Sequence, residues 1–200
     1  MMPTRQEFHT RTALAEGLKK LFFQLANKLD LKKPINVYLA GGMAIHLYTA
    51  SRVTSDVDAE FGCRIILPND LMVEVILEDG SAQLVYFDTN YNSSFALMHE
   101  DYLDDAIPVD LGVDQMCVYV LSPVDLAVSK IARFAENDKE DIASLVRLGL
   151  TTPEEIEHRA NEALAGYVGG QSLLRVNILD AISLARAAQE EVDGGSRPRP

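Results

Sequence analysis

The chain has 200 residues, 48% of them hydrophobic, enough to bury a core as one ordinary domain or as a small catalytic domain with a helical appendage. Its net charge of −12 argues against wholesale electrostatic binding to nucleic acid. No stretch approaches the roughly 18 consecutive apolar residues of a membrane span, the first residues carry helical rather than secretory patterning, and the two distant cysteines, Cys63 and Cys117, suit neither a zinc site nor a disulfide framework. A cytoplasmic location is therefore expected.

Leu14, Leu18, Leu21, Phe22, Leu25 and Leu29 form one stripe at a 3.6-residue period and predict a helix within 4–30, ended by Lys32-Lys33-Pro34. Residues 35–40 read as a short buried strand bounded by Gly41-Gly42, 43–50 as a helix, and 51–61 as a second strand containing Asp56 and Asp58. Residues 69–77 read as a helix closed by the turn signal Asp79-Gly80. A third strand is predicted at 84–88, a polar loop at 89–94 and a fourth strand at 116–121. Ser122 has the character of an N-cap, with Pro123 at the first helical position and Asp125 in the first turn. Thr152-Pro153-Glu154-Glu155 is a capping box. Two helices follow, near 153–165 and 171–192. The order predicts an α+β fold with a small mixed sheet flanked by helices and a helical C-terminal portion. The expected division is 1–150 for the sheet-bearing domain with its N-terminal helix, 151–193 for a helical appendage, and a disordered tail at 194–200.

Charge is unevenly spread. Residues 53–129 carry 15 acidic side chains against one basic one, Arg64, whereas residues 1–33 carry seven Lys or Arg against three acids. A solvated acidic surface accounts for most of these carboxylates. Asp56 and Asp58 are different, because side chains two apart on a strand share a face while Val57 turns to the core. Two adjacent carboxylates repel each other unless a cation neutralises them. Hard oxygen ligands of this kind suit Mg²⁺, or Mn²⁺ in its place, which completes its shell with water and substrate phosphates. Gly41-Gly42, directly after a strand and directly before a helix, lets a ligand approach the backbone, and the helix start offers N–H groups and a positive dipole end to phosphate.

Leu39-Ala40-Gly41-Gly42, a helix-length gap, and Asp56-Val57-Asp58 resemble the signature of the nucleotidyltransferase superfamily. Arg52-Val53-Thr54-Ser55-Asp56 is similar to the Arg-x-Thr-x-Asp lead-in of its small bacterial and phage-defence members, among them the toxins of abortive-infection (AbiE-type) toxin–antitoxin systems. The run from Leu121 to Lys130, with Asp138 and Asp141 beyond, is similar to their later helix, so the resemblance spans roughly 35–148. It implies that Asp56 and Asp58 hold Mg²⁺, that Gly41, Gly42, Arg52, Thr54 and Lys130 bind a nucleoside triphosphate, and that a third carboxylate completes a second metal site and acts as base. Asp88, closing the apolar run 84–87, is the first choice for that role. Asp110 is its rival, weakened by Pro108, which makes 107–111 a poor central strand.

The implied activity is metal-dependent transfer of a nucleoside monophosphate to an acceptor. That acceptor could be an RNA such as a tRNA end, or a protein, with the chain acting as a toxin held by a cognate antitoxin. Two alternatives remain open: a catalytically silent partner subunit, and an enzyme that adenylylates a small molecule of the aminoglycoside type. His46, inside an apolar helix, reads as a core or boundary histidine, and His9, His99 and His158 lack partners at ligand spacing. Asp138 and Asp141 suit caps and ion pairs, and Asp101, Asp104 and Asp105 suit the surface.

Overall fold

In the computed structural model, which describes residues 6–195, the leucine stripe becomes α1 (Ala13–Leu29). Thr12 caps it, its hydroxyl accepting from the Ala15 N–H at 3.2 Å. Leu14, Leu18, Leu21, Phe22 and Leu25 are at most 2% exposed. Asp30, in the left-handed conformation at φ 47°, closes the helix by donating its N–H to the last carbonyls.

The strands that follow form two small sheets rather than one. The first has the order β3–β1–β7–β6 and the second β2–β5–β4, where the strands are β1 (Ile35–Leu39), β2 (Asp56–Val57), β3 (Ala59–Phe61), β4 (Met72–Ile76), β5 (Ala82–Phe87), β6 (Ile107–Val109) and β7 (Met116–Val120). β1 runs parallel to β7 and antiparallel to β3, so the first sheet is mixed. β2 is parallel to β5, which is antiparallel to β4, so the second is mixed too. The single strand expected at 51–61 is thus two short strands in different sheets, with Asp58 at the crossing between them. α1 lies against the second sheet, where Phe22 meets Phe87 at 5.7 Å between ring centroids. Phe87 in turn meets Phe61 of the first sheet at 5.9 Å.

The helix expected at 69–77 is instead strand β4. Its burial alternates: Val73 and Val75 turn inward at 7% exposure, while Met72 and Ile76 stand outward. The period of two is plain in burial but hidden in composition, because both outward ends are apolar. β6 takes the edge of its sheet, the one place where Pro108 costs no ladder bond. α2 (Gly41–Thr49) starts at the first glycine itself.

The chain forms two compact units that interleave in sequence. One runs to Tyr91 and takes in Ala106–Leu121; it contains both sheets with α1 and α2. The other takes Asn92–Asp105 and everything from Ser122, and its long elements are all helical: α3 (Pro123–Ser129), α4 (Glu136–Arg147), α5 (Pro153–Gly166) and α6 (Ser172–Gly195). Ser122 caps α3 through the Asp125 N–H, and Thr152 with Glu155 forms the capping box of α5. A break at Phe134, φ 49°, separates α3 from α4, so the later run read as one helix is two. Gly194 and Gly195 belong to α6, and residues 196–200 of the expected tail lie outside the described residues. Among the described residues no helix is long and apolar enough to cross a membrane.

Candidate active site

β2 and β5 run side by side in parallel register, Asp56 opposite Tyr86 and Val57 opposite Phe87. The next backbone bond, Asp88 N–H to Val57 C=O at 3.1 Å, extends that register by one step. Asp58 and Asp88 therefore end adjacent strands at the same level and on the face that carries Asp56. Val57, at 0% exposure, faces the other way. One carboxylate oxygen from each of Asp56, Asp58 and Asp88 lies within 4.8 Å of the others. The donor set is all oxygen and all anionic, which is what a hard divalent cation takes.

The glycine turn adjoins this cluster. Ala40 donates its N–H to the Asp58 carbonyl at 2.9 Å, tying the turn to the strand crossing. Gly41 sits at φ +60°, and a methyl group there would overlap the Asp58 carboxylate, with Cγ 2.6 Å away. Asp58 therefore rests against the first residue of α2, where the positive end of the helix dipole offsets part of its repulsion with Asp56. A methyl on Gly42 would stand 2.9 Å from the Thr54 hydroxyl. That hydroxyl donates to Asp56 Oδ1 at 2.5 Å, so buried Thr54 fixes the rotation of one carboxylate while it packs on the glycine turn. On the third carboxylate, Asp88 Oδ1 accepts from the Asn90 N–H at 2.8 Å.

Asp110 lies elsewhere, beyond edge strand β6 in the other sheet, with Oδ1 accepting from the Gly112 N–H at 2.8 Å. Lys130 belongs to the helical unit. It is 7% exposed, with Nζ 3.0 Å from Asp141 and 3.7 Å from Asp138. Burial opposes ionisation of Asp138, yet bonds from Arg133 and the Ala135 N–H, with the charges of Lys130 and Arg133, hold its carboxyl below the usual range. In the same unit Arg159 grips buried Asp125 through two bonds, of 2.7 and 3.0 Å, and reaches Asp105 as well.

Sequence patterning gave His46 no role beyond the core, and it is 3% exposed. The structure adds a positioning function. Nε2 lies 2.6 Å from the Thr12 hydroxyl and Nδ1 lies 2.7 Å from the Arg52 carbonyl. The Arg52 carbonyl can only accept, so Nδ1–H donates to it, and Nε2 of the neutral ring then accepts from the Thr12 hydroxyl, whose oxygen also accepts from the Ala15 N–H. Burial pushes the ring below the ordinary histidine value; the Arg52 bond opposes this and nearby His9 adds to it. The neutral imidazole thus pins the loop that leads into Asp56. Its only sequence signal was its place on the helix preceding that loop.

Three carboxylates thus converge beside a glycine helix start. Residues 16–180 match the family described as "Nucleotidyltransferase of unknown function (DUF6036)", and the chain belongs to that family. No curated protein and no solved structure matches it.

Proposed function

We propose that the chain is a metal-dependent nucleotidyltransferase that moves a nucleoside monophosphate from a nucleoside triphosphate to an acceptor hydroxyl, with an RNA end such as that of a tRNA as acceptor. One observation carries the reading: Asp56, Asp58 and Asp88 converge within 4.8 Å beside the Gly41-Gly42 turn. Asp56 and Asp58 would hold Mg²⁺ or Mn²⁺, and Asp88 would complete a second ion's ligands. When bound, such ions neutralise phosphate charge and polarise the reacting oxygens. Gly41 and Gly42 let Asp58 and Thr54 close on the start of α2, whose free N–H groups would meet the triphosphate, while Thr54 keeps Asp56 oriented and Arg52 would supply a cation for the phosphate oxygens. Lys130, the other cation the resemblance implies, is held by Asp141 and Asp138. In the transfer, the acceptor oxygen forms a bond to the α-phosphorus as the bond to pyrophosphate breaks, and Asp88 takes the hydroxyl proton. Positioning and charge neutralisation supply most of the acceleration.

The Arg52-to-Asp56 lead-in supports the toxin form of this reading, with a cognate antitoxin protein as partner. RNA would approach over the basic first 33 residues. Lys19, Lys28 and Lys32 are paired with Glu16, Asp70 and Asp30 at 2.7, 2.6 and 2.6 Å, so the route rests more on Arg11, Lys20 and Lys33. The test is incubation with each labelled nucleoside triphosphate and total cellular RNA, with and without Mg²⁺. Label should enter RNA with the wild type and with Asp110→Ala, and be lost with Asp58→Ala and Asp88→Ala. Wild-type turnover by Asp58→Ala would sink the metal role, and label in protein instead of RNA would redirect the acceptor.

A further inference from the structure

The outward face of the second sheet does not end at the carboxylates. Across the register, Asp56, Tyr86 and Met72 stand in one row, and Leu84 stands in the next row of β5. Tyr86, Met72 and Leu84 are 41%, 52% and 44% exposed and adjoin one another on that face. They line a cleft of about 540 Å³ that also takes in Asn69, Asn90 and Asp88. Its size suits a single nucleoside. Asp88 is shared: it belongs to the carboxylate trio and to the wall of this cleft.

The chemistry of the lining is selective. No lysine or arginine is among the described residues that form it, and Asp88 is its one ionisable carboxylate. A triphosphate would find no cationic side chain here. A tyrosine ring and a methionine thioether on an exposed strand face are surfaces on which a flat ring stacks. The asparagines carry amides, each with donors and an acceptor, that can match a base edge.

We propose that this cleft seats the base of the acceptor's terminal nucleoside, stacked on Tyr86 against Met72, and so directs its ribose hydroxyl to Asp88. This deepens the reading above and rests on it. It makes the acceptor a nucleoside-bearing end rather than a polycationic aminosugar, which has no flat ring to stack.

The test uses the full chain without metal, so that binding is read apart from transfer. Adenosine, guanosine, cytidine, uridine and free ribose are titrated and followed by tyrosine and methionine-methyl NMR shifts. At least one nucleoside should bind where ribose does not. Tyr86→Ala should weaken it about tenfold or more, as loss of one stacking partner implies, and Tyr86→Phe should keep it. Equal affinity for wild type and Tyr86→Ala would overturn the proposal, as would a kanamycin-type aminosugar binding in place of all nucleosides. In the transfer assay, Tyr86→Ala should raise the acceptor KM and leave the KM for the nucleoside triphosphate unchanged. If Asp58→Ala abolishes transfer but Tyr86→Ala leaves the acceptor KM unchanged, the cleft assignment falls and the catalytic reading stands. If nucleosides bind through Tyr86 but no nucleotide is ever transferred, the catalytic reading is the one that fails.

Discussion

Replacing Gly41 by alanine attacks the site in two separable ways. The backbone there sits at φ +60°, a region that costs an L-residue with a Cβ about 1–2 kcal/mol. The added methyl also meets the Asp58 carboxylate, with Cγ 2.6 Å away, and overpacking of that kind costs about 1–3 kcal/mol. Together the substitution should destabilise the sheet unit by roughly 2–5 kcal/mol, less about 0.4–1 kcal/mol from the stiffer unfolded chain. The two parts separate in an Asp58→Ala background. There the carboxylate is gone and the residue-58 Cβ, 3.0 Å away, remains, so the steric part shrinks while the backbone part persists. Urea unfolding of the four proteins in this cycle, followed by circular dichroism, should give a coupling of about 1–3 kcal/mol. An identical penalty for Gly41→Ala in both backgrounds would refute the claim that the glycine exists to let Asp58 in.

Three further outcomes follow from named contacts. Thr54→Val removes the donor that orients Asp56; stability should fall by about 1 kcal/mol, while Mn²⁺ affinity measured by titration falls about 10–100-fold and Thr54→Ser retains it. His46 is held neutral, with its pKa below the ordinary histidine value, so the unfolded chain takes up the proton first as pH falls below about 6.5. Its contribution is complete above that pH and is lost as pH falls toward the lowered folded value; comparing unfolding at pH 7.5 and 5.5 should show a drop that His46→Gln reduces. Arg159→Leu strands the buried Asp125 charge and should cost about 3–5 kcal/mol, most of it recovered when Asp125→Asn is added; no recovery in the double variant would show that packing, not charge, set the cost.

How much could be read beforehand depended on whether the signal was local. Helix starts were legible because their chemistry lies within four residues, as with Ser122 and Pro123 or Thr152 and Glu155, and α1 because its leucine stripe keeps one period. The glycine turn and the two-residue spacing of Asp56 and Asp58 were legible for the same reason. β4 was misread because Met72 and Ile76 hide its alternation, and their exposure has meaning only beside the carboxylates on the same face. The split of 51–61 between two sheets was invisible, since pairing partners as distant as Tyr86 decide it. Asp88 could be preferred from strand length, but its place beside Asp58 comes from the β2–β5 register, which no local pattern encodes. Lys130 looked available as a cation because the sequence does not reveal that Asp141, one helix later, sits 3.0 Å from it.

The contact between Gly42 and Thr54 constrains the order in which this site can change. Gly42 has no positive φ, so its backbone alone tolerates a side chain; what stands in the way is the Thr54 hydroxyl, 2.9 Å from where a Cβ would be. A lineage that acquires serine or alanine at position 42 must first shrink residue 54, and that step would release Asp56 from its hydrogen bond. The two positions should therefore vary as a pair among relatives. Chains with a larger residue at 42 should carry a small one at 54 and a substitute donor for the first aspartate, supplied either by the new residue-42 hydroxyl or from the strand beside it.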